Sequence, residues 1–340
     1  MNIKKVAEHA GVSTATVSRL INKTSYISPG TAKKVWRAIE ELGYHPNVNA
    51  RGLASGKSSL LGLIVSDIVN PFFPDLVKSF DEAALHHGYE IITANTNYDE
   101  TRTLLRVRRL IERRVDGVAI MTSEMDQALV DELSTRGIPI VFLDTGKVKE
   151  NISNIRIDYE QGVSQAVNHL LELGHRRIGY ISGPLGLKSA RIRRSAFLKF
   201  LKKKGIIEEK ELVTIGDYKI SGGKKAMEKL LKLEDRPTAV LTSNDLTAIG
   251  AMQALRSHGL HVPEDVSLIG FDDIALAATT DPPLTTVNVS RVKVAECAFE
   301  SLLELIKHKT QKGREVHVGT HLVIRESTAK PSPKTRRSGR

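Results

Sequence analysis

The sequence predicts an α/β fold in which a small three-helix headpiece precedes a larger, doubly wound α/β body. Three observations carry this. Residues 2–22, NIKKVAEHAGVSTATVSRLIN, read as a helix–turn–helix. From residue 60 onward, apolar strand-like runs alternate with amphipathic stretches of helical period. The formal charge of +11 sits in the two ends: residues 1–59 hold nine Lys/Arg against three Asp/Glu, residues 330–340 hold five basic and no acidic residues, and residues 60–329 balance. A basic headpiece on a neutral body points to a polyanionic partner for the headpiece.

In the first helix Val6, Ala7 and Ala10 form a small apolar face, Gly11 allows a sharp turn, and Ser13 is placed to N-cap the second helix. Val17, Leu20 and Ile21 then face inward, leaving Thr14, Ala15, Ser18, Arg19 and Asn22 on the opposite side. Small residues and one arginine on an exposed helix suit the DNA major groove. For this pair alone an ordinary helical hairpin is the alternative. Ser28-Pro29 begins a third helix, whose stripe Ala32, Val35, Trp36, Ile39 and Leu42 ends before Gly43, with the single Trp expected as a core plug. His45-Pro46 breaks this helix, and Asn47 is placed to cap a segment running to Ala54 that is too short to be helical alone.

The run VAEHAGVSTATVSRLIN followed by SPGTAKKVWRAIEELGYHPNVNARGLASGKS resembles the lac/gal repressor family of bacterial transcription regulators, over nearly sixty residues without a gap. The resemblance implies that the second helix reads bases through Thr14, Ala15 and Arg19, with Ser13, Thr16 and Asn22 near phosphates. It places Asn47 and Leu53 in a DNA-binding hinge, Leu53 matching a position that wedges into the minor groove. Gly56-Lys57-Ser58 superficially suggests a phosphate-binding loop, but Arg51 stands where that motif needs its first glycine.

In the body, Leu60–Val65, Glu90–Ala94, Val118–Met121, Ile138–Leu143, Ile178–Ser182, Ala239–Thr242 and Val266–Gly270 read as buried parallel strands. Stretches 74–87, 101–113, 160–173, 190–204, 222–233, 245–258 and 292–308 read as covering helices. Some 270 residues exceed one comfortable core, so two subdomains are expected. The resemblance makes them the two lobes of a periplasmic-binding-protein-like fold. The expected organisation is a headpiece over 1–46, a hinge over 47–59, a two-lobed body over 60–328 and a disordered basic tail over 329–340. Lobe 1 spans about 60–158 and 289–320, and lobe 2 about 159–288 and 321–328.

Ligands on such sheets lie at the carboxyl ends of strands. Asn70, Phe72 and Phe73 follow the first strand; two aromatics beside an amide can stack on a sugar and bond its hydroxyls, or the rings can pack into the core at the next helix start. Asp144 follows the fourth strand, Asn244 and Asp272 follow later ones. By resemblance Ser189 and Arg193 match effector contacts, and Tyr218 matches an aromatic wall. The set of Asn70, Phe72, Phe73, Arg193, Tyr218, Asn244 and Asp272 most resembles that of pentose- and hexose-binding members, and Asp144 and Ser189 are further candidate effector contacts. Leu187 replaces an arginine common in the purine-binding branch, and Val289 a glutamine found in related members. Asp245 reads equally as a helix N-cap or a contact, Asp273 as a support for Asp272, and Arg191 and Arg194 as solvated or interface charges.

Catalysis finds little support. Cys297, the single cysteine, falls in an amphipathic helix, and the eleven histidines, His169, His175 and His258 among them, show no metal spacing and are expected at helix ends or exposed faces. No catalytic motif, cofactor site, signal peptide or membrane span is recognisable, so a cytoplasmic, non-enzymatic protein is expected. The sequence thus reads as a transcriptional regulator, most simply a repressor. It binds a pseudo-palindromic duplex operator as a homodimer and answers to a small effector, a sugar or sugar derivative, held between the lobes. The alternatives are a purine-responsive repressor of the same family or an exported sugar-binding protein.

Overall fold

Each headpiece helix is delimited by its own local chemistry. Asn2 caps α1 (Ile3–Ala10) by accepting from the Lys5 amide, and Gly11 ends it at φ +65°, a conformation that suits a residue without Cβ. Ser13 Oγ accepts from the Thr16 amide at 3.1 Å to open α2 (Thr14–Asn22). Ser28 caps α3 (Pro29–Glu41), with proline at its first position. Val6, Ala7, Val17, Val35 and Ala38 form the core, with Leu20, Ile21, Ile39 and Leu42 packed around them. Trp36, expected as the core plug, is instead 49 % exposed. The inner stripe runs through Val35, Ala38, Ile39 and Leu42, and the residue after Val35 is turned about 100° away from it.

The structure is a computed structural model that describes residues 2–22 (of Asn22 the backbone only), 25–44, 57–122, 127–207, 209–308 and 312–332; it divides into two units, 1–59 and 60–340. Asn47, Leu53 and the Asn22 side chain lie outside the described residues, as do residues 333–340.

Among the described residues the second unit holds two six-stranded sheets. The first, ordered β11-β5-β4-β3-β1-β2, is parallel throughout and comprises β1 (Leu60–Val65), β2 (Glu90–Asn95), β3 (Gly117–Met121), β4 (Ile140–Leu143), β5 (Ile152–Ile157) and β11 (Glu315–Val318). The second, ordered β12-β10-β9-β8-β6-β7, comprises β6 (Ile178–Ser182), β7 (Val213–Ile215), β8 (Ala239–Thr242), β9 (Ser267–Asp272), β10 (Thr285–Val289) and β12 (Thr320–Val323). Only its β10–β12 pair is antiparallel. The chain crosses between sheets three times, between β5 and β6, between β10 and β11, and between β11 and β12.

Around the first sheet lie α4 (Phe72–His86), α5 (Glu100–Glu112), α6 (Gln127–Thr135) and, later in the chain, α11 (Arg291–Lys307), which packs on α4. Around the second lie α7 (Tyr159–Glu172), α8 (Lys188–Lys203), α9 (Ile220–Leu231) and α10 (Asp245–Ser257). The central strands are fully buried apolar runs such as GVAIM and AVLT, as parallel strands covered on both faces must be.

Several expectations shift. Strands β5, β7, β10, β11 and β12 and helix α6 have no counterpart in the sequence reading; most are short or polar, and ISNIRI carries Ser153, Asn154 and Arg156. The seventh expected strand extends to Asp272, so that carboxylate ends a strand rather than sitting in a loop. The expected tail boundary falls inside a bonded segment. Ala329 accepts from His175 Nε2 at 2.8 Å and donates to Ser267 Oγ at 3.0 Å, and Ser327 bonds Leu268 and Thr285. His175, expected at a helix end or on an exposed face, stands just past the end of α7 but is buried between Thr238 and Ala329, and His169 bonds Thr328. Burial pushes both imidazoles below their ordinary range.

Candidate functional site

On the headpiece, Thr14, Ala15 and Arg19 are exposed on one side of α2 while Val17 fills the core from the other. Ser13 and Thr16 hydroxyls bond each other at 2.9 Å at the start of this helix. An exposed face of short side chains and one arginine can reach base edges without steric hindrance.

In the body, the carboxyl ends of β1 to β5 face those of β6, β8 and β9 across a cleft of about 630 Å³ including its mouth. All nine residues expected to contact an effector line it: Asn70, Phe72, Phe73, Asp144, Ser189, Arg193, Tyr218, Asn244 and Asp272. Phe72 and Phe73 begin α4 rather than occupying a loop, pack edge to face at 5.4 Å, and belong both to the core and to the cleft wall. The two sequence alternatives for these rings are thus compatible. Asn70 Oδ1 accepts from the Phe72 amide at 3.1 Å, fixing the turn that starts the helix.

The floor is charged. Arg193 Nη1 lies 3.5 Å from Asp272 Oδ1 and also donates to the Ser243 carbonyl; the two residues are 7 % and 4 % exposed. The guanidinium lies over both the Tyr159 and Phe271 rings, at 4.6 and 4.4 Å from their centroids, and the two rings pack against each other at 5.9 Å. Burial disfavours its charge, yet Asp272 and the neighbouring tyrosines hold it protonated. Burial pushes the Asp272 carboxyl up to about 6, against Arg193 and Arg291, which pull it down. Asp272 Oδ1 and Arg193 Nε are buried without a hydrogen-bond partner. Such atoms are costly unless a ligand or water meets them.

Across the cleft, Tyr159 Oη donates to Asp144 Oδ2 at 2.6 Å and the Ile157 amide donates to Oδ1 at 2.9 Å. Burial raises the Asp144 carboxyl above its usual range and the Tyr159 phenol well above its own. Lys188 Nζ, at the start of α8, reaches over to the Asp144 carbonyl at 2.9 Å. Ser189 Oγ and Tyr218 Oη lie 3.4 Å apart. Asn244 N-caps α10 by accepting from Thr247, and its amide donates to the Tyr218 carbonyl, so much of its bonding capacity shapes the wall.

Some neighbours play other parts than expected. Asp245 is neither N-cap nor cleft lining; it is fully buried, accepts from the Ile274 amide and the Thr286 hydroxyl, and sits where a Cβ on Gly270 would meet its Oδ1 at 2.1 Å. Asp273 pairs with Arg325 at 2.6 Å and Asn288 at 2.8 Å instead of with Asp272. Arg191 is exposed, as expected, and closes the loop before α8 through the Leu185 and Gly186 carbonyls, whereas Arg194 Nε is buried. Tyr159, Tyr98 and Leu187 also line the cleft, together with Ser66, Met121, Thr122, Leu143 and Ile157; neither Tyr159 nor Tyr98 is marked by the sequence. Tyr159 opens the helix after β5, so missing that strand hid it, while the left-handed φ of Tyr98 (+57°) carries no sequence signal.

Residues 2–47 match the family described as bacterial regulatory proteins, lacI family, and residues 167–328 match the periplasmic binding protein-like domain. The HTH-type transcriptional repressor PurR of Aliivibrio salmonicida strain LFI1238 is 36 % identical over 96 % of this chain and 99 % of its own. The chain belongs to the lacI family. Among solved structures, the lac repressor dimer bound to operator and the anti-inducer ONPF superposes with a TM-score of 0.87 at 31 % identity, covering 97 % of this chain and 99 % of that one. The transcriptional regulator CelR–cellobiose complex does so at 0.73 and 30 %, covering 96 % and 99 %. This lacI-family chain is a DNA-binding transcriptional repressor with a small-molecule effector domain, and not an enzyme. Among the described residues no helix is long and apolar enough to cross a membrane.

Proposed function

We propose that the effector is a small polyhydroxylated ring, a sugar or sugar derivative, held by the Arg193–Asp272 pair between the aromatic walls of the cleft. The observation that carries this reading is the pair itself, buried yet with Asp272 Oδ1 and Arg193 Nε unmatched. A carboxylate and a guanidinium side by side can each take two vicinal hydroxyls in fixed planes. Phe72, Phe73 and Tyr218 offer flat apolar faces for the C–H surface of the ring, and Ser189 adds a hydroxyl. The cellobiose complex of a structural neighbour agrees with a sugar.

A purine is the second reading, favoured by the name PurR of the full-length relatives. Leu187 weighs against it, since this cleft-lining side chain offers nothing to a base heteroatom. On the DNA side, two copies of the chain would place two headpieces on a pseudo-palindromic operator. Thr14, Ala15 and Arg19 then read bases, Ser13, Thr16 and Asn22 contact phosphates, and Asn47 and Leu53 serve in the hinge, as the dimeric lac repressor–operator complex suggests.

A thermal-shift screen of pentoses, hexoses, their phosphates, hypoxanthine and guanine separates the two readings. Stabilisation by a sugar, lost in Arg193→Ala, supports the first. Stabilisation by purine bases alone overturns it.

A further inference from the structure

Arg291 lines no part of the effector cleft, yet it grips the cleft from behind. Its Nη1 donates to the carbonyls of Asp272 at 2.6 Å, Asp273 at 2.9 Å and Val289 at 3.3 Å. Its Nη2 pairs with Asp75 Oδ2, in the first turn of α4, at 3.4 Å. The guanidinium is largely buried, its side chain 16 % exposed. The two aspartates whose carbonyls it holds have φ of +106° and +54°, in the left-handed region that ordinary side chains avoid. Such a turn persists when its surroundings hold it, and here the carbonyls are held by Arg291 and the Asp273 carboxylate by Arg325.

The two ends of this grip belong to opposite walls. Asp272 stands at the end of β9 in the second sheet; Asp75 follows Phe72 and Phe73 at the start of α4, beside the first sheet. A planar, always-charged fork can hold carbonyls on one edge and a carboxylate on the other, which a lysine cannot.

We propose that Arg291 is a positioning residue that couples the Asp272–Asp273 turn to helix α4, so that a displacement of either cleft wall is passed to the other. This deepens the effector reading of the cleft, whose failure would leave the mechanical link intact.

The test is amide hydrogen exchange of the full chain with no ligand added, comparing wild type, Asp75→Asn and Asp75→Glu. Asp75 is half exposed, so neither variant threatens folding. Loss of the carboxylate charge alters α4 locally in any case; the deciding peptides are those covering 272–277. Coupling predicts that Asp75→Asn speeds exchange there by about threefold or more, together with 72–77, and that Asp75→Glu restores both. Faster exchange confined to 72–77, or no change in 272–277, overturns the proposal.

Discussion

The Arg193 guanidinium and the Asp272 carboxylate meet at 3.5 Å in the floor of the cleft, almost removed from solvent, with the arginine lying over the Tyr159 and Phe271 rings. Removing two charges from water is unfavourable, and their mutual attraction offsets this only when the remaining donors and acceptors are matched. Here they are matched incompletely by the protein. A pair built this way is better suited to receiving hydroxyls than to stabilising the fold.

Breaking the pair from either side leaves a buried charge. Arg193→Ala is expected to destabilise the body by about 3 kcal/mol at neutral pH and to abolish effector binding. Urea unfolding followed by circular dichroism checks the first, and calorimetric titration with the sugar found by thermal shift checks the second. Replacing both together, Arg193→Met with Asp272→Leu, should restore most of the stability and none of the binding.

Effector affinity should depend on pH through Asp272. Its folded value is raised to about 6, whereas the unfolded carboxyl titrates near about 3.9. The folded state therefore binds the proton more tightly. This group lowers stability progressively as pH rises from about 4 to about 6, and adds a constant penalty above that. Binding runs the other way, because hydroxyls are accepted by the carboxylate. Affinity is expected to fall below about pH 6, approaching tenfold per unit. Asp272→Asn should flatten the profile, with lower affinity throughout; a wild-type profile equally flat would remove Asp272 from the contact.

In the headpiece, Val35 and Trp36 trade the importance that residue type suggests. Val35→Ala should cost about 2 kcal/mol by opening the core, whereas Trp36→Ser should stay within about 0.5 kcal/mol. Thermal melts of the two variants, read at the headpiece transition, decide this.

The segment after β12 is expected to secure the second sheet. A chain ending at Ser332 keeps the bonds of Ser327 and Ala329 to Leu268, Thr285, Ser267 and His175. A chain ending at Glu326 loses them, leaves buried groups unpaired and should melt lower by about 3 kcal/mol or more in stability. Equal melting curves would show that these bonds contribute nothing.

The alternation of apolar runs and amphipathic stretches was enough to place the central strands, since β1, β6 and β8 are uninterrupted buried segments. Edge strands such as Glu315–Val318 and Thr320–Val323 were illegible because half their residues face outward and each spans four positions. The cleft was legible where a lining residue closely follows a recognisable strand, as with Asp144 and Asn244. It was hidden where position depends on tertiary packing. Tyr159 lies beyond an unrecognised strand, and Arg291 acts through backbone carbonyls from outside the cleft. The aromatic residue of the headpiece misled for the opposite reason, since its size suggested a core that the helical phase assigns to Val35.

We propose that headpiece and cleft are the output and input of one switch. It is tested most directly by fluorescence anisotropy of a duplex selected from random DNA by the full chain, titrated with the stabilising sugar. Wild type should change its affinity for the duplex by about fivefold or more on sugar addition. Arg193→Ala should bind the same duplex as tightly as sugar-free wild type and ignore the sugar. An Arg193→Ala chain that still responds, or a wild type whose duplex affinity is unmoved by a sugar that binds it, would contradict the account.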